Sequence, residues 1–196
     1  MTKTICIDYL VTGAVFVSEP YQTYEILQTT PQPKHLDLYY NHPNYISHKI
    51  KGKSLFFTFY ALLRQFNHKY KTKLIHKHMS TKGKLLDFGA GTGSFVEFAQ
   101  KKGWDAEGYE PNTNAHSPKA TYVNEWIKTS YYNTITAWHV IEHLPKPKAF
   151  LQQAYDSLQK DGKMFVALPN YKSWDAKNYG VQWAGYDVPR HLWHFS

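Results

Sequence analysis

The alternation of apolar and polar positions changes rhythm along this chain. Ile5 to Leu10 and Ala14 to Val17 are short runs on either side of Thr12-Gly13, a turn signal, and predict a β-hairpin. A proline-bearing polar stretch, Thr29 to Lys34, leads to a tyrosine-dense segment, Leu36 to Ile46, with Tyr39, Tyr40 and Tyr45. Over residues 54–79 the rhythm is helical. Leu55, Phe56, Phe59, Leu62, Leu63 and Phe66 recur at three- and four-residue intervals, which predicts a long helix with these side chains toward a core and its lysines toward water. From Leu85 onward, short apolar runs alternate with helical stretches. A strand at Leu85 is followed by a helix over Ser94 to Lys102, stopped by Gly103, and a second strand over Asp105 to Glu110. An apolar strand begins near Thr134. Pro145 and Pro147 then punctuate the start of a helix over Lys148 to Gln159, which Asp161-Gly162 ends, and Lys163 to Leu168 reads as a buried strand. Strand alternating with helix is the order of an α/β fold.

The first of these strands runs into the most informative stretch, Leu85-Leu-Asp-Phe-Gly-Ala-Gly-Thr-Gly93. Glycine at every second position lets the backbone turn sharply and lie against a bound group. A dinucleotide fingerprint would need glycine where Ser94 stands. The observed pattern is D-x-G-x-G-x-G, which resembles motif I of the class I S-adenosylmethionine-dependent methyltransferases. Glu110 closes the second strand 17 positions after Gly93, near the roughly 20 expected for an acid that accepts hydrogen bonds from ribose hydroxyls. A solvated surface acid is the plainer alternative for Glu110, and a strand-end residue bonding loop amides is that for Asp87.

Residues 134–147, Thr-Ile-Thr-Ala-Trp-His-Val-Ile-Glu-His-Leu-Pro-Lys-Pro, resemble the fourth strand and following turn of small-molecule methyltransferases, with Asn133 where those proteins usually carry Asp. The resemblance puts Asp87, Phe88, Gly89, Ala90, Gly91, Gly93, Glu110, Pro111, Asn124 and His139 at the cofactor, S-adenosylmethionine, whose product is S-adenosylhomocysteine. His139 reads equally as a structural histidine satisfied by backbone. Glu142 and His143 read as braces of the turn, through hydrogen bonds.

The hairpin and "LDLYYNHPNYISH" ahead of motif I resemble bacterial methyltransferases of the domain-23 type. Many relatives carry paired C-x-x-C zinc ligands there. Here Cys6 is the single cysteine, with Tyr21 and Tyr24 at the spacing of the second pair, so no metal site is expected. The segment implies that Tyr39, Tyr40, Tyr45 and His48 line or lid the pocket, although ordinary aromatic packing suits them as well. The C-terminal Pro-Arg-His-Leu-Trp-His-Phe-Ser196 is similar to a further segment of that subgroup. It makes Arg190 and His191, with Tyr40 and Tyr45, the candidates for substrate binding, and His139, His191 and His194 the candidate bases. Pairing of Arg190 with a carboxylate and capping by the histidines is the competing account.

The fold expected is a Rossmann-like class I methyltransferase sheet: residues 1–80 form a hairpin-plus-helix extension, and 81–196 a core of five strands that stops short of the usual last two. An edge left at the fifth strand offers a route to oligomers or a partner subunit. Composition agrees without specifying: 196 residues with 42% hydrophobic content bury a full core, no apolar run is long enough for a membrane span, and a cytoplasmic location is expected. Lys and Arg exceed Asp and Glu by 23 to 15, with much of the surplus between Lys49 and Lys84. Interleaved aromatics there admit an RNA groove, but a solvated helix face is the preferred reading. The function implied is methyl transfer to a small-molecule or glycan-related acceptor. The alternatives are a non-catalytic cofactor-binding or regulatory domain, and an RNA methyltransferase.

Overall fold

The computed structural model describes residues 3–22, 25–40 and 55–196. In chain order the elements are β1 (Thr4–Ile7), β2 (Val15–Pro20), β3 (Leu27–Thr30), α1 (Asp37–Tyr40), α2 (Leu55–His78), β4 (Lys84–Phe88), α3 (Ser94–Lys101) and β5 (Asp105–Tyr109). They continue with β6 (Tyr132–Trp138), α4 (Pro147–Ser157), β7 (Leu158–Ala167), α5 (Trp174–Tyr179) and β8 (Trp193–His194). The chain divides into two compact units, one from Met1–Ile46, His139–Pro147 and Ala167–Ser196, the other from Ser47–Trp138 and Lys148–Val166. Both are discontinuous, so a boundary at residue 80 does not separate them. The long helix belongs with the core strands, and the C-terminal segment with the N-terminal ones.

The first unit carries an antiparallel sheet of order β1-β2-β3-β8. Its hairpin is the one expected, with Ile7 opposite Val15. The turn is held by Asp8, whose carboxylate accepts from the Thr12 amide and the Thr12 hydroxyl, both at 2.8 Å, and more distantly from the Leu10 and Val11 amides. Cys6, Phe16, Ala176, Trp183, Tyr186 and Val188 form the core of this unit.

The second unit is built on a sheet of order β5-β4-β6-β7, with β4 parallel to both β5 and β6. The five expected core strands are four among the described residues, plus one isolated parallel bridge, Gly108 to Tyr122, on the free side of β5. The helix expected to reach Gln159 ends at Ser157. Asp161-Gly162 lies inside β7 rather than ending a helix, and Asp161 takes the left-handed conformation there, at φ 67°.

Helix α2 reverses its expected orientation. Phe59, Leu62, Leu63, Phe66 and Tyr70 are exposed, Phe66 by 64%, whereas His68, Thr72 and Ile75 are buried. The side chains of Leu55 and Phe56 lie outside the described residues. Hydrogen bonds offset part of the cost of burying this polar face, although Nδ1 of His68 finds no partner among the described residues. The Thr72 hydroxyl donates to the His68 carbonyl at 2.9 Å, and His68 Nε2 meets the Ser94 hydroxyl at 3.2 Å. The His68 ring lies 5.7 Å from that of Phe95 and 5.6 Å from that of Phe98. Burial pushes its pKa down to about 4, so it packs as a neutral ring. Ile75 joins Leu85, Phe95, Val96, Ala99 and Trp104 in the core. No helix among the described residues is long and apolar enough to cross a membrane.

Candidate functional site

The turn after β4 is shaped by glycine and held from β5. Gly89 and Ala90 both donate their amides to the Tyr109 carbonyl, at 2.8 and 3.1 Å, and Gly93 donates to the Ala90 carbonyl at 2.9 Å. Gly93 sits at φ 67°, and a Cβ there would strike Ala120 and the Tyr122 hydroxyl. Gly108, on β5, answers a different need: a Cβ would lie 2.7 Å from that of Ala90, so its absence lets the loop settle onto the strand. Sequence reasoning passed over Gly108, although a glycine inside a strand is the usual mark of close backbone approach.

Glu110 faces this loop. One carboxylate oxygen accepts the Gly91 amide at 3.0 Å and the other the Asn112 amide at 2.9 Å. Tyr122 crosses the same turn, donating its hydroxyl to the Gly91 carbonyl at 3.0 Å and accepting from the Ser117 amide at 3.2 Å. The His116 ring stacks on Tyr122 at 3.8 Å and 7°, and its Nε2 donates to the Glu110 carbonyl at 2.9 Å. Neither His116 nor Tyr122 was legible as a site residue, because an isolated bridge has no periodicity to announce it.

Asp87 is buried at the end of β4 and accepts the Thr136 hydroxyl at 2.6 Å. Burial raises its pKa to about 6, against the opposing pull of Thr136 and Lys71, and the charge of Glu110 adds to the rise. Lys71 leaves water for this neighbourhood, its ammonium 4.6 Å from the Trp138 ring centre and 5.3 Å from that of Phe95. Burial lowers its pKa, and Asp87 opposes that. The expectation that the helix lysines all face water fails at Lys71. Phe88 is corrected too: its ring packs on Tyr109, Trp126 and Phe150, in an aromatic core. Ala90 is half-buried, while Pro111 and Asn124 are exposed.

The remaining candidates belong to the first unit. His139 follows β6 at φ 57°, its amide bonded to the Ala167 carbonyl at 2.9 Å and its side chain 63% exposed. Arg190 is 1% exposed and paired with Asp187 at 2.6 Å and Asp8 at 3.3 Å. His194 is buried against the Ser18 and Thr29 hydroxyls at 3.0 and 2.9 Å, and burial pushes its pKa down to about 3. These contacts give Arg190 and His194 structural tasks, in line with the competing account of this segment.

His191 Nδ1 donates to the Gly185 carbonyl at 2.8 Å. His143 Nδ1 donates to the Arg190 carbonyl at 3.0 Å and meets the Tyr40 hydroxyl at 2.9 Å. Glu142 corrects the brace expected of it: its side chain is fully buried and makes no hydrogen bond, with His139 Nδ1 approaching only to 3.5 Å. Tyr45 and His48 lie outside the described residues.

A strand ending in a buried acid, a glycine turn, a helix, and a second strand whose terminal acid reaches back to that turn define a class of α/β cofactor-binding domain. The chain belongs to the methyltransferase domain family, whose model matches residues 61–196. It is 27% identical over 125 residues to the ubiquinone biosynthesis O-methyltransferase of Yersinia enterocolitica, covering 55% of this chain and 52% of that protein. Among solved structures it resembles a SAM-dependent methyltransferase from Archaeoglobus fulgidus, with a TM-score of 0.53 and 21% identity over 70% of this chain and 66% of the other. The chain thus spans about half the length of the curated relative it matches.

Proposed function

We propose that the chain binds S-adenosylmethionine at the glycine turn and transfers its methyl group to a small-molecule acceptor. The observation that carries this reading is the Glu110 carboxylate fixed beside Gly91 by two backbone amides. Those bonds use one lone-pair direction on each oxygen and leave others for a ribose diol. Gly89 to Gly93 supply backbone that can approach closely. Asp87 offers a buried carboxylate to an ammonium group, and Lys71 a partly desolvated cation to a carboxylate. The donor set therefore fits an amino-acid nucleoside better than a dinucleotide, which would need glycine at Ser94.

When bound, the cofactor supplies an electrophilic methyl on a sulfonium. The chain's part is to hold the partners in line and keep water out, an alignment worth up to about 7 to 11 kcal/mol in favourable cases. Of the three histidines put forward as bases, His139 has the exposed ring and His194 the fully engaged one. An oxygen acceptor calls for a proton-accepting ring of that exposed kind. Calorimetry with S-adenosylmethionine and S-adenosylhomocysteine tests the binding half of the proposal. Both should bind, and Glu110→Ala should weaken them at least about tenfold, the loss of a charged hydrogen-bond acceptor. Absence of binding to the wild-type chain overturns the reading. Labelled methyl appearing in RNA rather than in a small-molecule fraction overturns the acceptor class.

A further inference from the structure

Glu142 poses a problem that the methyltransferase reading leaves unsolved. Its carboxylate is fully buried, both oxygens lack a hydrogen bond, and the nearest positive candidate is the exposed His139 at 3.5 Å. An ionised carboxylate taken out of water without partners costs several kcal/mol unless a cation meets it. Two imidazoles stand ready around it. Glu142, His143 and His191 each present a ligand atom, and these atoms lie within 4.8 Å of one another.

The histidines are oriented for the same purpose. His143 Nδ1 donates to the Arg190 carbonyl and His191 Nδ1 to the Gly185 carbonyl, and a carbonyl only accepts. The His191 ring therefore carries its proton on Nδ1 and presents a lone pair at Nε2, and His143 does the same when its Nδ1, which also meets the Tyr40 hydroxyl at 2.9 Å, donates to the Arg190 carbonyl. A histidine that gives its other N–H to a backbone carbonyl is the arrangement by which protein metal sites fix ring and tautomer. The backbone locks the three together: the Leu192 amide donates to the Glu142 carbonyl at 2.8 Å, tying the segment that bears His191 to the turn that bears Glu142 and His143.

We propose that Glu142, His143 and His191 form a site for one divalent transition-metal ion of the zinc class. Two imidazole nitrogens with one carboxylate oxygen suit Zn²⁺ and its first-row neighbours, whereas Mg²⁺ and Ca²⁺ prefer all-oxygen shells. Three protein ligands leave at least one coordination position for water or another donor. The site needs no cysteine, which is why the single Cys6 is no argument against it. It is independent of nucleoside binding, so the two readings stand or fall separately.

The test uses the full chain stripped of metal, with Zn²⁺ as the probe. One equivalent should bind, and Glu142→Gln and His191→Gln should each weaken it tenfold or more, while the control His76→Gln on α2 should not. Equal zinc binding by the wild-type chain and by Glu142→Gln places the ion elsewhere and overturns the proposal, as does no binding by the wild-type chain. A readout that needs no variant is nitrogen NMR of histidine-labelled protein. Zinc should shift Nε2 of two histidines whose Nδ1 stays protonated, and shifts at Nδ1 or at exposed histidines alone overturn it. Persistence of an His139–Glu142 pair with zinc present does the same.

Discussion

Replacing Asp87 by Asn keeps the shape of the side chain and its bond from Thr136 while removing a charge the fold holds at a cost. The carboxyl, ordinarily near 3.8, titrates at about 6 in the folded chain because it is buried. Between those two values the folded state holds a proton that the unfolded state has lost, so wild-type stability falls as pH rises through that window. At about 1.4 kcal/mol per pH unit, the full effect is about 3 kcal/mol. The neutral amide carries no such cost. The stability of Asp87→Asn relative to wild type should therefore climb from pH 4 and level off above pH 6, in favour of the variant by about 3 kcal/mol. Paired urea titrations across that range measure the difference, in which the groups that do not interact with Asp87 cancel. A difference that stays flat would refute the reasoning, since it would mean the carboxyl titrates alike folded and unfolded. The same substitution should remove any fall in nucleoside affinity on acidification below about pH 6.

Three further substitutions probe the scaffold. Gly108→Ala places a methyl 2.7 Å from that of Ala90 and should cost about 1 to 3 kcal/mol in urea unfolding, with weakened S-adenosylhomocysteine binding as the loop shifts. Asp8→Ala removes a carboxylate from buried Arg190 and should destabilise by about 3 to 5 kcal/mol; a shift under about 1 kcal/mol in thermal unfolding would show that its remaining partners, Asp187 among them, suffice. Ile75→Ala should cost about 2 to 5 kcal/mol, while Phe66→Ala, on the outward face of the same helix, should stay within about 0.5 kcal/mol. The opposite ranking would restore the orientation that hydrophobic spacing suggests.

The glycine turn was legible because it is a backbone requirement. Positions that need φ near 67° or cannot hold a Cβ announce themselves one residue at a time, and Glu110 lies at a spacing set by one helix and one strand. Helix α2 shows the converse. Periodicity shows that a helix has two faces, but which face turns inward depends on partners such as Ser94 and Phe95, which periodicity cannot see. Arg190 and His194 stand in a recognisable segment, yet their tasks are set by Asp8, Ser18 and Thr29, more than 160 residues away in the chain. A turn acid usually bonds nearby amides, which suggests a brace at Glu142; only the three-dimensional arrangement shows that its carboxylate bonds none.

The amides that grip Glu110 belong to the chain's own turns, at Gly91 and Asn112, so the carboxylate and the glycine turn hold each other in place. Docking a sugar there demands no ordering of the turn, so little conformational freedom is surrendered on arrival. Discrimination among nucleosides should then be written in how slowly they leave, with arrival rates nearly alike.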